Sequence, residues 1–173
     1  MRAAVLALCL IAPPAGAEAF FDIGISHSQI ESKNTDVSVR PDRTETSLHL
    51  GIGASRSVGE RGELSVRLEL DDLGSDLLLA VRALDYRHHI SERLAFNVFI
   101  GAARFDLATA AFGYYYGAGI QFKRLVSNWD LSVDLHIADE VARDNLLPSD
   151  PQGGNPDNFR DIIGVSVYLS RRF

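Results

Sequence analysis

The residues able to do chemistry recur thinly along the chain, mostly at every second position. His49 and His136 are candidate bases, and Ser26, Ser47, Ser132 and Ser166 are candidate nucleophiles. Serine hydrolysis needs the hydroxyl within hydrogen-bond reach of a base that a third group orients. Either histidine could serve one of those serines, but the serines lie on separate stretches and no segment assembles a triad. Asp139, Glu140, Asp144, Asp150 and Asp157 offer the hard oxygens that calcium takes, yet their spacing matches no calcium loop and reads as solvated surface. His88-His89 could ligate a metal, although such a pair at a turn is ordinarily polar surface. Tyr114, Tyr115 and Tyr116 point alternately in an extended chain, so they form no stacking platform. No cofactor is implied.

The one cysteine, Cys9, lies in an N-terminal segment with the order of a secretory signal. Arg2 supplies a positive start, Ala3 to Ala12 an apolar run, Pro13-Pro14 a break and Ala15-Gly16-Ala17 small residues for cleavage before Glu18. The run is too short to span a bilayer as a helix. A lipid attached to Cys9 would need a small residue before it, where Leu8 stands. Residues 1–17 are therefore expected to be removed, leaving residues 18–173 as one domain. That domain has no thiol, and so no disulfide, thiolate metal site or cysteine nucleophile. A net charge of −6 without a basic block gives no support for nucleic-acid binding.

What positions the polar residues is period-two alternation, the mark of β-strands with two unlike faces. Eight runs carry it. Phe21, Ile23 and Ile25 oppose Asp22, Gly24 and Ser26, and Leu48, Leu50 and Ile52 oppose His49, Gly51 and Gly53. Leu64, Val66, Leu68 and Leu70 oppose Ser65, Arg67, Glu69 and Asp71. The fourth run, Leu77 to His88, is the least regular: Leu79, Val81 and Ala83 oppose Ala80, Arg82 and Leu84, with a bulge expected near Leu84 to Tyr86. Phe96, Val98 and Ile100 oppose Asn97, Phe99 and Gly101; Tyr114, Tyr116, Ala118 and Ile120 oppose Tyr115, Gly117, Gly119 and Gln121. Trp129, Leu131, Val133 and Leu135 oppose Asp130, Ser132, Asp134 and His136 in the seventh, and Ile163, Val165, Val167 and Leu169 oppose Ile162, Gly164, Ser166 and Tyr168 in the eighth.

Each run approaches the roughly 9–11 residues that a membrane strand needs. Short connections follow the even runs (Arg56 to Gly62, His89 to Arg93, Arg124 to Asn128), and longer ones follow odd runs, notably Ile30 to Arg43 and Asp139 to Asn158. Aromatic residues gather at run ends, as in the girdles of membrane proteins. A soluble β-sandwich also alternates, but its strands are shorter. The pattern predicts an all-β protein, an eight-stranded antiparallel up-and-down transmembrane β-barrel. Closure is obligatory in lipid, because an open sheet leaves unpaired backbone groups.

Inside so narrow a barrel there is room only for filling side chains. The face shared by Arg67, Glu69, Asp71, Arg82, Asp130, Asp134 and His136 is therefore predicted to be a polar lumen network. Its mixed signs suit ion pairs, which buried charges require. Gly51-Ile52-Gly53 and Gly117-Ala118-Gly119 lie mid-strand, where they make room for larger neighbours and are no nucleotide loop.

The end of the chain, Gly164-Val165-Ser166-Val167-Tyr168-Leu169-Ser170-Arg171-Arg172-Phe173, resembles the terminal strand signal of bacterial outer-membrane proteins. Val165, Val167, Leu169 and the final Phe173 carry the likeness, while Arg171 departs from it at a position that is usually apolar. Leu94 to Gln121 is similar to the small porin-like barrels of the OmpA/OmpX type. The resemblance implies a Gram-negative outer-membrane location, contact with outer-membrane lipid and lipopolysaccharide, and insertion by the barrel-assembly machinery. It implies no activity. Some small barrels of this kind act on lipid A; in the deacylase type a seventh-strand His is followed two residues later by Ser, where Ala138 follows His136 here. The expected function is thus non-enzymatic: envelope integrity, or surface interaction through the outer loops. The alternatives are a lipid- or lipopolysaccharide-acting barrel enzyme or binder, and a narrow pore.

Overall fold

The computed structural model describes residues 16–32, 43–73, 76–105, 109–110, 112–126, 128–143 and 160–173. Most of the N-terminal signal segment, Asp144, Asp150 and Asp157, and the proline- and glycine-rich stretch from Pro148 to Pro156 lie outside the described residues.

Each alternating run forms a long strand, because β-branched and aromatic side chains on every second residue fit a pleated surface with one apolar side. The barrel consists of β1 (Glu18–Ser32), β2 (Arg43–Val58), β3 (Gly62–Leu73), β4 (Asp76–His89), β5 (Leu94–Phe105), β7 (Phe112–Val126), β8 (Trp129–Asp139) and β10 (Arg160–Arg172). Two short strands, β6 (Thr109–Ala110) and β9 (Ala142–Arg143), pair beyond one end of it. Neighbours in sequence pair antiparallel around the wall, and β1 pairs with β10 from Phe20↔Arg172 to Ser32↔Arg160. That last ladder closes the sheet and removes its edges. The architecture is the eight-stranded all-β barrel that the pattern predicts.

The strands run longer than the apolar belt requires. β2 has 16 residues, and its first turn of sheet is polar, with Thr46 hydrogen-bonded to the exposed His27 of β1 at 2.8 Å. One end of the barrel, here the turn end, holds the three short connections after β2, β4 and β7. The opposite loop end holds the others. There the β3–β4 connection is only two residues long in sequence, shorter than the pattern of long odd connections suggests.

The fourth run needs a correction. Arg82 pairs with Gly101 but Leu84 pairs with Ile100, and on the other side the register passes from Arg67↔Arg82 to Ser65↔Asp85. Val66 thus faces both Ala83 and Leu84, and the bulge sits there, at the start of the expected Leu84 to Tyr86 stretch. Its extra residue reverses the phase. Leu84 turns to the outer wall, where it is exposed, and Asp85 and Arg87 turn into the lumen.

Glycines let large groups share that lumen. A Cβ on Gly24 would collide with the backbone and Cβ of Tyr168 across the β1–β10 seam, and one on Gly119 would collide with the Asp134 carboxylate.

Candidate functional site

The lumen is layered along the barrel. At the loop end, Ile30, Leu73, Leu78, Phe105, Val141 and Ile162 form a buried apolar layer. Alternation predicts only that these positions face inward, not that they meet at one height. The layer is held by backbone bonds from Phe105 N–H to Val141 O at 3.1 Å and from Val141 N–H to Arg160 O at 3.0 Å.

Beneath it lies a layer of charges built on Arg67 and Arg82, both essentially inaccessible. Arg82 Nη1 is 2.6 Å from Asp134 Oδ2, and Nη2 is 2.7 Å from Glu69 Oε1. Its guanidinium stacks on Phe99, with Cζ 3.5 Å from the ring centroid. Arg67 Nη1 donates to the Tyr168 hydroxyl at 2.5 Å and lies 3.2 Å from Asp22 Oδ2. Tyr168 passes the link on, donating to Asp134 Oδ2 at 2.6 Å. Asp85 Oδ2 stands 3.7 Å from both guanidiniums. Each arginine therefore faces three carboxylates: Asp22, Glu69 and Asp85 for Arg67, and Glu69, Asp85 and Asp134 for Arg82. His49 extends the layer through a 2.6 Å hydrogen bond between Nδ1 and Asp71 Oδ1. Charges so deeply buried persist only when paired, because desolvation of a lone ion costs several kcal/mol.

His136 sits beside this layer without joining the ion pairs. Its Nδ1 is 3.4 Å from Ser166 Oγ, and Ser166 donates to Ser26 Oγ at 3.1 Å. Its Nε2 has no hydrogen-bond partner among the described residues. A base and a hydroxyl are thus adjacent, but among the described residues no third group hydrogen-bonds the base, and both side chains are buried. Among the described residues, no cluster of His, Asp and Glu has metal-binding geometry.

At the turn end Glu63 gathers the cations. It lies 2.9 Å from Arg87 Nη1 and 3.0 Å from Arg172 Nη1, with His89 Nε2 at 3.6 Å. Asp130 is found here, not in the central layer: it accepts the Arg124 backbone N–H at 2.8 Å and lies 4.0 Å from Arg172 Nε. A cavity of about 630 Å³ opens beside it, lined by Glu18, Glu92, Lys123, Arg124, Asn128, Asp130 and Arg172.

Of the residues singled out in the sequence, Arg67, Glu69, Asp71, Arg82 and Asp134 lie in one layer, His136 borders it and Asp130 stands apart. Sequence reasoning missed Asp85 and Arg87, whose phase follows the bulge. The signal was present: Ala83-Leu84 places two apolar residues in succession between two alternating stretches. It also missed Glu63, and Tyr168 as the link between Arg67 and Asp134.

The outer wall is apolar. Ile25, Ile52, Val66, Leu84, Val98, Ile100, Leu135 and Ile163 are all exposed on it. Val165, Val167 and Leu169 line the outward face of β10, and Phe173 at its end is 74% exposed. Phe173 stacks on Phe21 with ring centroids 5.6 Å apart, and Phe21 meets the edge of Trp129 at 5.2 Å.

No family model matches the chain, and no curated protein matches it. Solved structures do. Ail, the attachment invasion locus protein of Yersinia pestis, crystallised with the heparin analogue sucrose octasulfate, is 13% identical over 91% of this chain and 99% of its own, with a TM-score of 0.55. Neisserial surface protein A is 11% identical over 92% of this chain and 98% of its own, with a TM-score of 0.53. At such identities the likeness lies in the backbone. The chain has the fold of the small eight-stranded outer-membrane β-barrels, the group that Leu94 to Gln121 resembles.

Proposed function

We propose that this chain is an integral protein of the bacterial outer membrane that works without catalysis, supporting the envelope or presenting its loop end to partners. The observation that carries this reading is the inversion of the molecule: an apolar wall around a lumen of buried charge. Soluble proteins rarely expose contiguous apolar patches beyond a few hundred Å². Here large hydrophobic side chains stand exposed on all eight barrel strands. Lipid is the solvent that suits such a wall, and a closed barrel is the form of sheet that lipid tolerates.

The lumen supports the non-catalytic half of the reading. Arg67 and Arg82 fill its centre, the apolar layer covers them on the loop side, and the Glu63 cluster lies on the turn side. An acyl chain would have to displace one of those layers to reach His136, and an ion would have to cross all three. Outer-membrane lipid and lipopolysaccharide are the surroundings on this reading, and the barrel-assembly machinery is the route in.

Fractionation of cells producing the full chain tests the location. The protein should sediment with outer membranes and migrate faster in unboiled than in boiled gels. A soluble periplasmic pool with no heat-dependent shift would overturn the reading. The mass profile of lipid A from cells with and without the gene should be identical, and a gained or lost acyl chain would make the protein an enzyme.

A further inference from the structure

Arg171 occupies an outward position on β10, where the terminal strand pattern favours an apolar residue. Its register partners are Phe21 on β1 and Trp129 on β8, both members of the aromatic cluster at the turn end. Its guanidinium carbon lies 5.7 Å from the Trp129 ring centroid, and no carboxylate among the described residues pairs with it. On the opposite side of β8, the ladder between β7 and β8 breaks between Phe122 and Val126. In that break Arg124 takes the left-handed conformation, φ 52°, with its N–H held by Asp130. A non-glycine residue is uncommon there. The bend leaves the Arg124 side chain exposed, lining the turn-end cavity, with Leu125 next to it 55% exposed. Of the nearby acids, Asp130 accepts that N–H, Glu63 pairs with Arg87 and Arg172, the exposed Glu18 pairs with Arg172 at 3.5 Å, and Glu92 lines the turn-end cavity.

We infer that Arg171 and Arg124, on the two strands flanking Trp129, bind the headgroup phosphate of an anionic glycerophospholipid in the leaflet at the turn end. The inference rests on the membrane reading above. Tryptophan and tyrosine collars lie at headgroup depth, which is where the phosphates are. A guanidinium can present two parallel N–H donors to a phosphate, and Trp129 beneath Arg171 holds that plane without neutralising it. The same arginine that weakens the terminal apolar pattern thus gains a partner once the strand is in lipid.

Trp129 is the only tryptophan in the chain and reports on the site directly. The full-length protein would be folded into phosphatidylcholine vesicles containing phosphatidylglycerol, with the bromine label on the acyl chains of either one lipid or the other. A basic residue near an anionic surface is worth about 1 kcal/mol, which at 1.4 kcal/mol per tenfold is roughly a fivefold enrichment. Quenching by brominated phosphatidylglycerol should therefore exceed that by brominated phosphatidylcholine at equal mole fraction. The excess should shrink with added salt, and should fall towards parity in R171Q and further in R171Q/R124Q. Equal quenching by both lipids in the unaltered protein, or a preference undiminished in the double variant, would overturn the assignment. So would loss of the preference when inorganic phosphate replaces chloride at constant ionic strength, which would mark a site for soluble phosphate. Absence of quenching by either lipid would sink the membrane reading along with it.

Discussion

Arg82 on β4 and Asp134 on β8 meet across the lumen at 2.6 Å, although two strands, β5 and β7, stand between them in the wall. The pair is a strut through the barrel rather than a contact along it. With Arg67, Tyr168 and Glu69 it ties strands from opposite sides of the cylinder.

Removing one end of the strut should be costly. R82A leaves Glu69 and Asp134 without their nearest cation, at 2.7 and 2.6 Å respectively. A broken buried pair typically costs about 3–5 kcal/mol. The urea midpoint in detergent micelles should fall accordingly, and D134A made in the R82A background should cost less than it does alone. An unchanged midpoint in R82A would show that the central layer contributes nothing to folding.

Tyr168 is a relay whose loss should be felt at its hydroxyl alone. It accepts from Arg67 at 2.5 Å and donates to Asp134 at 2.6 Å. Y168F keeps the ring and should lower stability by about 1–3 kcal/mol, the usual penalty for stranding buried polar groups. Tyr116, outward and 40% exposed, is the control. If Y116F and Y168F unfold at the same denaturant concentration as the parent, the relay is unimportant.

Phe173 joins the aromatic cluster at the turn end through its stack on Phe21 at 5.6 Å. Its deletion should reduce the fraction of heat-modifiable protein in outer membranes and increase periplasmic degradation. Pulse-labelling followed by unboiled electrophoresis measures both. An assembly rate equal to that of the full chain would count against a role for the last residue.

Among the described residues His136 makes one long side-chain hydrogen bond, 3.4 Å to Ser166, with the Tyr115 ring 5.6 Å away between centroids, and it is buried in the lumen. H136A should shift stability by on the order of 1 kcal/mol and leave lipid A unaltered by mass spectrometry. A reproducible change in acylation would instead identify Ser166 and His136 as a working pair.

The eight strands and the side of the wall that each residue faces were legible in the sequence because alternation is local. A pleated strand sends neighbours to opposite faces whatever it pairs with. Asp22, His49, Arg67, Glu69, Asp134 and Tyr168 could be assigned inward from their own runs. Ala83-Leu84 could not be resolved in the same way, since a bulge is a mismatch between partners. Which residue is extra depends on Val66 across β3 and Ile100 across β5, and Asp85 and Arg87 follow from that choice. Height along the barrel was likewise out of reach. It is set by the tilt and stagger with which the sheet closes through β1 and β10, and this decides that Asp130 joins Arg172 while Asp134, four residues away, joins Arg82. Alternation alone was enough to specify an apolar wall around a charged interior. Which charge meets which follows from closure of the barrel, because partners such as Arg67 and Tyr168 are 101 residues apart and share no local pattern.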